Sequence, residues 1–312
     1  MLHLATAILP VFLVVAAGYA AAWRGFLSEA HVDGLMRFGQ GIAIPLLLFR
    51  AMAGLDLRSG FDPGILGAYY TGATTGFLAG LTGARVLFRR DWEDAVAIGF
   101  VGLFSNTLLL GLPITARAFG GETALAGNFV IIAIHSPFCY GLGIAAMEIA
   151  RAHGTGLAKG RLVLRILRAV LSNTLVLGIL AGLAFNLVGL ALPEPVMAAV
   201  NMVADAGIPA ALFGLGGILL RYRPEGDRMT ILYITTVALV LHPAITFGLA
   251  HLFGVPAPGM RSAVVTAAMA PGINAYLFAD MYGRARRVAA SAVLAGTIAS
   301  VVTAAFWIAV LP

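Results

Sequence analysis

Two long apolar runs in this 312-residue chain are interrupted where a membrane-crossing helix would want leucine. In the first, Phe104-Ser105-Asn106-Thr107-Leu108-Leu109-Leu110-Gly111-Leu112-Pro113 sets a carboxamide, hydroxyls, a glycine and a proline in mid-run. In the second, Ala268-Met269-Ala270-Pro271-Gly272-Ile273-Asn274 does the same at the matching place in the second half. Proline removes a backbone donor and clashes with the preceding turn, and glycine adds freedom, so both segments are expected to unwind locally. Unwound backbone survives at membrane depth only when buried in protein or lining a wet cavity. A matched pair of broken spans is therefore the best pointer in a sequence to a transporter's binding site.

With 60% hydrophobic and 11% charged residues, the chain falls far from a soluble domain, which carries roughly 25% charged residues. It reads as an all-α, multi-pass membrane protein. The net charge of +6 lies in short loops without interleaved aromatics, so it points to membrane topology and to no nucleic acid. Cys139, the one cysteine, lies within an apolar run and reads as a buried packing thiol. The first run, Leu4 to Ala22, lacks a basic flank and exceeds the roughly 7–15 residues of a signal-peptide core, so it reads as a first span.

Ten apolar runs fall at 4–22, 38–55, 65–87, 95–115, 125–148, 170–191, 198–220, 230–253, 262–281 and 288–311. Each has the length that crossing a bilayer requires. A hydrophilic connection over 151–169 divides the chain into a first set of five spans in 1–150 and a second in 170–312. Its His153-Gly154-Thr155-Gly156-Leu157-Ala158-Lys159-Gly160 has the wrong spacing for a phosphate loop and reads as a linker. Of the 20 Lys and Arg residues, only Arg50, Arg58, Arg117 and Arg261 lie on the even-loop side. Odd loops are thus expected in the cytoplasm and both termini outside, in a plasma (bacterial-type inner) membrane. Ile44-Pro45-Leu46-Leu47-Leu48-Phe49 is echoed by Ile208-Pro209-Ala210-Ala211-Leu212-Phe213, and Phe119-Gly120 by Tyr282-Gly283, at almost the same offset. Because five is odd, the second copy would enter from the opposite side, giving a 5+5 inverted repeat.

At a broken helix, half-helix N-termini offer free N–H groups and positive dipole ends that suit a carboxylate. Asn106 and Asn274 can each donate two hydrogen bonds there and accept others, or can satisfy unwound backbone. Ser105, Thr107 and Tyr276 are candidate wall residues, although hydroxyls also bond their own helix backbone. His135 and Asp205 are candidate coupling residues because ionisable groups at membrane depth are functional candidates by default. His242, beside Pro243, reads as structural; Arg50 can pair with substrate or snorkel outward. Asp280 and Glu148 sit near span ends and read as solvated, and Gly214, Gly216 and Gly217 read as helix-contact positions. No dense carboxylate cluster marks a dedicated sodium site, although backbone carbonyls at the crossover could form one, and neither a cofactor motif nor HExxH is present. The coupling ion, H+ or Na+, stays open, as does uniport.

The run Asn106-Thr107-Leu108-Leu109-Leu110-Gly111-Leu112-Pro113-Ile114 with Phe119-Gly120 resembles the fourth-span signature of the auxin efflux carrier family. Ala270-Pro271-Gly272-Ile273-Asn274-Ala275-Tyr276-Leu277-Phe278-Ala279 resembles its ninth-span signature and is nearer the bacterial malonate- or malate-permease type than the PIN type. The resemblance implies a fold similar to sodium/proton antiporters and bile-acid symporters. Spans 1, 2, 6 and 7 would form a scaffold, with a homodimer through it as one arrangement. Spans 3–5 and 8–10 would form a moving transport domain, in which spans 4 and 9 break and cross. Asn106 and Pro113 would be the family's substrate-contacting asparagine and first crossover proline; Gly111, Pro271 and Gly272 complete the crossover backbone. PIN-type members carry the second proline where this chain has Ala275, which favours a smaller anion than auxin. The expected function is elevator-type transport of a mono- or dicarboxylate. Auxin-like efflux and cation/proton antiport are the alternatives; antiport predicts acidic residues where this chain has asparagines. An enzyme is not expected.

Overall fold

The computed structural model describes residues 2–54, 62–120, 122–151, 174–222 and 227–312. Most of the expected linker, the start of the sixth run, Arg58 and Lys159 lie outside the described residues. The described chain is helical, with no β-strand and a single isolated bridge. Its helices are α1 (Leu2–Trp23), α2 (Glu29–Ala53), α3 (Pro63–Val86), α4 (Trp92–Leu103), α5 (Thr107–Phe119) and α6 (Glu122–Arg151). They continue as α7 (Thr174–Val188), α8 (Glu194–Arg221), α9 (Arg228–Leu252), α10 (Ala257–Ala267), α11 (Ile273–Tyr282) and α12 (Arg286–Val310).

Among the described residues, five helical stretches are long and apolar enough to cross a membrane: α2, Leu125–Arg151 of α6, α8, α9 and α12. Of the ten expected spans, two are each divided, into α4 with α5 and α10 with α11, α7 is described only from Thr174, and α1 and α3 are likewise not among the five. The chain is a multi-pass membrane protein. The second span also starts earlier than its hydropathy suggests. Ser28 accepts from the His31 N–H in a capping box, and the first turns of α2 bury Val32 and Met36 while Glu29, Asp33 and Arg37 mask the apolar face.

Three prolines share a device. Pro45, Pro113 and Pro243 each follow a π-helical turn, at Gly39–Ala43, Thr107–Gly111 and Val237–Leu241. In each, the residue before the proline bonds five residues back: Ile44 N–H to Gly39 O, Leu112 to Thr107, His242 to Val237. The wide turn absorbs the crowding that a proline ring imposes on the preceding carbonyls. Pro209, the counterpart of Pro45 in the proposed repeat, lies in unbroken α-helix.

The chain forms two compact units. One comprises Leu9–Phe61 and Arg168–Arg221, which hold α1 from Leu9 onward, α2, α7 and α8. Within it Gly178 of α7 meets the Pro45 backbone and Gly216 of α8 meets the backbone of Val15 and Tyr19, so the helices pack at backbone distance. Gly214 and Gly217 lie against Met36 and Val32, the contact role expected of them.

The other unit comprises Met1–Ile8, Asp62–Leu167 and Tyr222–Pro312 and holds both interrupted runs. Aspartates cap the starts of three of its helices: Asp62 accepts from Gly64 N, Asp91 from Asp94 N and Asp227 from Met229 N. On α3, Gly72, Gly76, Gly80 and Gly83 recur at helical spacing. Gly72 faces His242 and Thr246, and Gly76 faces Gly102 of α4, where an added Cβ would lie 2.5 Å from the Gly102 oxygen. At one end, Glu93 pairs with Arg151 at 2.9 Å and Arg284 at 3.0 Å, tying α4 to the ends of α6 and α11.

Candidate functional site

Both interruptions are real breaks, and they lie against each other. Helix α4 stops at Leu103, and α5 begins with Asn106 as its N-cap. Helix α10 stops at Ala267, and α11 begins after Gly272. Between the pairs, Ser105 and Pro271 form an antiparallel bridge. Asn106 N–H donates to Ala270 O and Gly272 N–H to Phe104 O, each at 2.8 Å. The unwound backbone of each run therefore satisfies that of the other, as buried backbone requires.

Asn106, 8% exposed, accepts through Oδ1 from Leu109 N–H at 3.2 Å. An N–H donor fixes which amide atom faces it, so the oxygen is committed to the cap and the NH2 group is turned elsewhere. No described residue accepts from that NH2. Asn274, half-buried in the first turn of α11, has its Oδ1 held by the Tyr140 hydroxyl at 3.1 Å. Its NH2 likewise donates to no described residue. Nor does any described group accept from the backbone N–H of Ile273 or Asn274, and Gly272 offers no side-chain cap. The two breaks thus present hydrogen-bond donors whose paired acceptors are already taken.

A buried polar layer braces the first break. Tyr69 of α3 lies 2.6 Å, hydroxyl to hydroxyl, from Ser105. His135 Nε2 donates to Ser105 O at 3.1 Å, and the Cys139 thiol lies 3.6 Å from His135 Nδ1. The carbonyl acceptor requires the ring proton on Nε2, so both nitrogens of a neutral imidazole are used. His242 packs its ring on Tyr69 at 5.1 Å between centroids. Aromatic rings complete the surroundings: Phe100 stacks on Phe278 at 3.9 Å, and Phe104 lies edge-on to Tyr140 and His135.

The other singled-out residues fall as follows. Thr107 is buried beside Asn106, Gly111 O accepts from Thr115 Oγ1, and Pro113 sits in the turn after the π segment. Pro271 forms the bridge, and Gly272 donates across it. Tyr276 packs its ring against Tyr222 at 4.9 Å. Asp205 lies in the other unit, paired with Arg50 at 2.8 Å, where Arg50 also reaches Asn201 Oδ1 at 3.2 Å. Asp280 pairs with Arg286 at 3.1 Å, and Cys139 is free and buried. Tyr69 and Tyr140 were not foreseen. Each is a polar tip on an otherwise ordinary aromatic position, and only the fold brings those tips to the breaks.

Comparison with known proteins places the chain among membrane transport proteins. The family described as membrane transport protein matches residues 3–155 and 159–308. The chain is 26% identical over 302 residues to the "Putative malonate transporter" of Rhizobium meliloti (strain 1021), covering 95% of this chain and 92% of that one. It is 26% identical over 310 residues to an uncharacterized transporter of Methanothermobacter thermautotrophicus, covering 97% of each. It is 22% identical over 360 residues to auxin efflux carrier component 8 of Arabidopsis thaliana, covering 96% of this chain and 95% of that one. The chain belongs to the auxin efflux carrier family of membrane transport proteins.

Proposed function

We propose that this chain is a secondary transporter that carries a small organic anion, a mono- or dicarboxylate of the malonate or malate class, bound at the paired breaks. One observation carries the reading. The oxygens of Asn106 and Asn274 are held by protein donors, which leaves two NH2 groups and the open N–H groups at the start of α11 to act as donors. Donors without acceptors at a helix N-terminus favour a carboxylate. A cation would need the oxygens that the protein has already used. The similarity to a protein named for malonate supports the substrate class.

The same reading assigns the architecture. α4 with α5 and α10 with α11 each make one broken span, so the chain crosses ten times as a 5+5 inverted repeat with crossed spans 4 and 9. The 12 residues of α4 rise about 18 Å, a little over half of a ~30 Å hydrocarbon core. The unit holding α1, α2, α7 and α8 serves as scaffold, and the unit holding both breaks is the moving element of an elevator. The excess of Lys and Arg in odd loops supports outside termini.

The test is uptake of labelled malonate or malate by purified protein in liposomes. Wild type is expected to accumulate label, and Asn106→Ala to lose uptake. Normal uptake by the mutant would remove Asn106 from the site. Movement of sodium without any dependence on an organic anion would sink the anion reading.

A further inference from the structure

Beside the breaks lies a second polar cluster with an unmet acceptor. Asn128 of α6 is fully buried, as are Thr115 of α5 and Thr266 of α10. Asn128 Nδ2 donates to Thr266 Oγ1 at 2.8 Å and to Thr115 Oγ1 at 3.2 Å. Thr115 directs its own hydroxyl hydrogen to Gly111 O at 2.8 Å, which leaves an oxygen lone pair facing the amide. Asn128 Oδ1 meets no donor among the described residues. Buried carboxamide oxygens almost always have a partner. This one lies where α5 has just left the first break, α10 is about to enter the second, and α6 spans the two.

The surroundings favour a positive charge. Thr266 is in the last turn of α10, where terminal carbonyls lack intrahelical partners and the helix dipole is negative. The side-chain bonds of Asn128, Thr115 and Thr266 involve no Lys, Arg or His. The three ligands are neutral hard oxygens without a carboxylate, which suits an alkali ion rather than a divalent one. The described residues contain no group of three His, Cys, Asp or Glu side chains that could hold a metal otherwise.

We propose that Asn128 Oδ1 with the Oγ1 atoms of Thr115 and Thr266 binds Na+ between the two broken spans. The two amide orientations of asparagine are nearly isosteric. A half-turn of the Asn128 carboxamide replaces NH2 by Oδ1 opposite both hydroxyls and gathers three oxygens around the ion. Without the ion, the NH2 group holds the hydroxyls instead. The functional consequence rests on the anion-transport reading. An ion joining α5, α6 and α10 fixes both breaks, so it tightens anion binding, and the anion tightens Na+ binding by the same factor.

The experiment is thermal unfolding of the purified full-length protein, with no organic anion, in NaCl, KCl or choline chloride at equal concentration. A ligand of the native state raises apparent stability in a saturable way. Na+ is expected to raise Tm above the other two salts. The rise should vanish in Thr266→Val and Asn128→Ala and persist in Thr266→Ser. Equal Tm in the three salts, a rise shared equally by K+, or a sodium rise surviving in Thr266→Val overturns the proposal. If these variants fail to fold, radioactive sodium binding to the wild type decides: saturable binding displaced by unlabelled Na+ but not K+ supports the site, and no binding overturns it. Because no organic anion is present, a missing sodium response alongside intact carboxylate binding removes only the cation site.

Discussion

At the first break the chain caps its own new helix, whereas at the second it leaves the helix start bare. Asn106 Oδ1 takes Leu109 N–H, and Asn106 O accepts from both Leu110 and Gly111 as the π turn begins. Gly272 has no side chain to offer, and Ile273 and Asn274 N–H find no acceptor among the described residues. The first break is thus mostly self-satisfied and contributes one directed donor, the Asn106 amide. The second contributes backbone donors and an amide that a neighbouring helix aims through Tyr140. The two breaks therefore contribute unlike halves to the proposed site, although the proposed repeat relates them.

The substitution that breaks this contrast most sharply is Asn106→Asp. A carboxylate still accepts from Leu109 N–H, so the cap is expected to hold, while the donor is replaced by a negative charge. Uptake of a dicarboxylate should fall by at least about tenfold, and Tm should stay within a few degrees of wild type. Asn106→Ala should lose uptake and also about 1 kcal/mol of stability with the cap. Liposome uptake read beside thermal unfolding checks both.

Packing gives the next effect. A Cβ on Gly296 of α12 would lie 2.7 Å from the Pro271 ring, but one on Gly111 would meet Thr266 at an ordinary 3.4 Å. Gly296→Ala is therefore expected to destabilise by about 1–3 kcal/mol through overpacking at the second break. Gly111→Ala should be tolerated much better, and unfolding midpoints of the two variants test the ranking. Tyr140→Phe removes the hydrogen bond that aims Asn274. Its expected signature is a several-fold rise in KM with little change in stability, since one such bond contributes about 0.5–1.5 kcal/mol.

The smallest effect lies at the far ends of the broken helices. A hydrogen bond from Arg151, and then those of Arg284, hold the Glu93 carboxyl below its usual range. A lowered folded-state pKa contributes stability that is complete above the unfolded value, about 4.3, and is lost as pH falls through the folded one. Glu93→Gln should lower Tm modestly at neutral pH and flatten its decline below about pH 4.3. Thermal unfolding across pH measures the difference.

The breaks were legible because proline, glycine and asparagine in an apolar run have few other uses, so Asn106, Pro113, Pro271 and Asn274 stood out. The charge-masked start of α2 was not, since Glu29, Asp33 and Arg37 dilute hydropathy over turns that still bury Val32 and Met36. Pairing between the breaks was also hidden, because it runs through backbone atoms of Phe104, Asn106, Ala270 and Gly272, which side-chain identity does not encode. Tyr69, Asn128 and Tyr140 acquire their roles from partners 13 to 138 residues away. Asp205 drew notice as an acidic group at membrane depth, and its partner Arg50 lies in the same unit.

The central claim is that donors with committed acceptors make this site anion-selective. Its most direct measurement is calorimetric titration of purified protein with malonate and with malonamide, the neutral diamide of similar shape. The account predicts saturable binding of the dianion, none of the diamide, and loss of dianion binding in Asn106→Asp. Equal binding of both compounds, or undiminished malonate binding in Asn106→Asp, would contradict it.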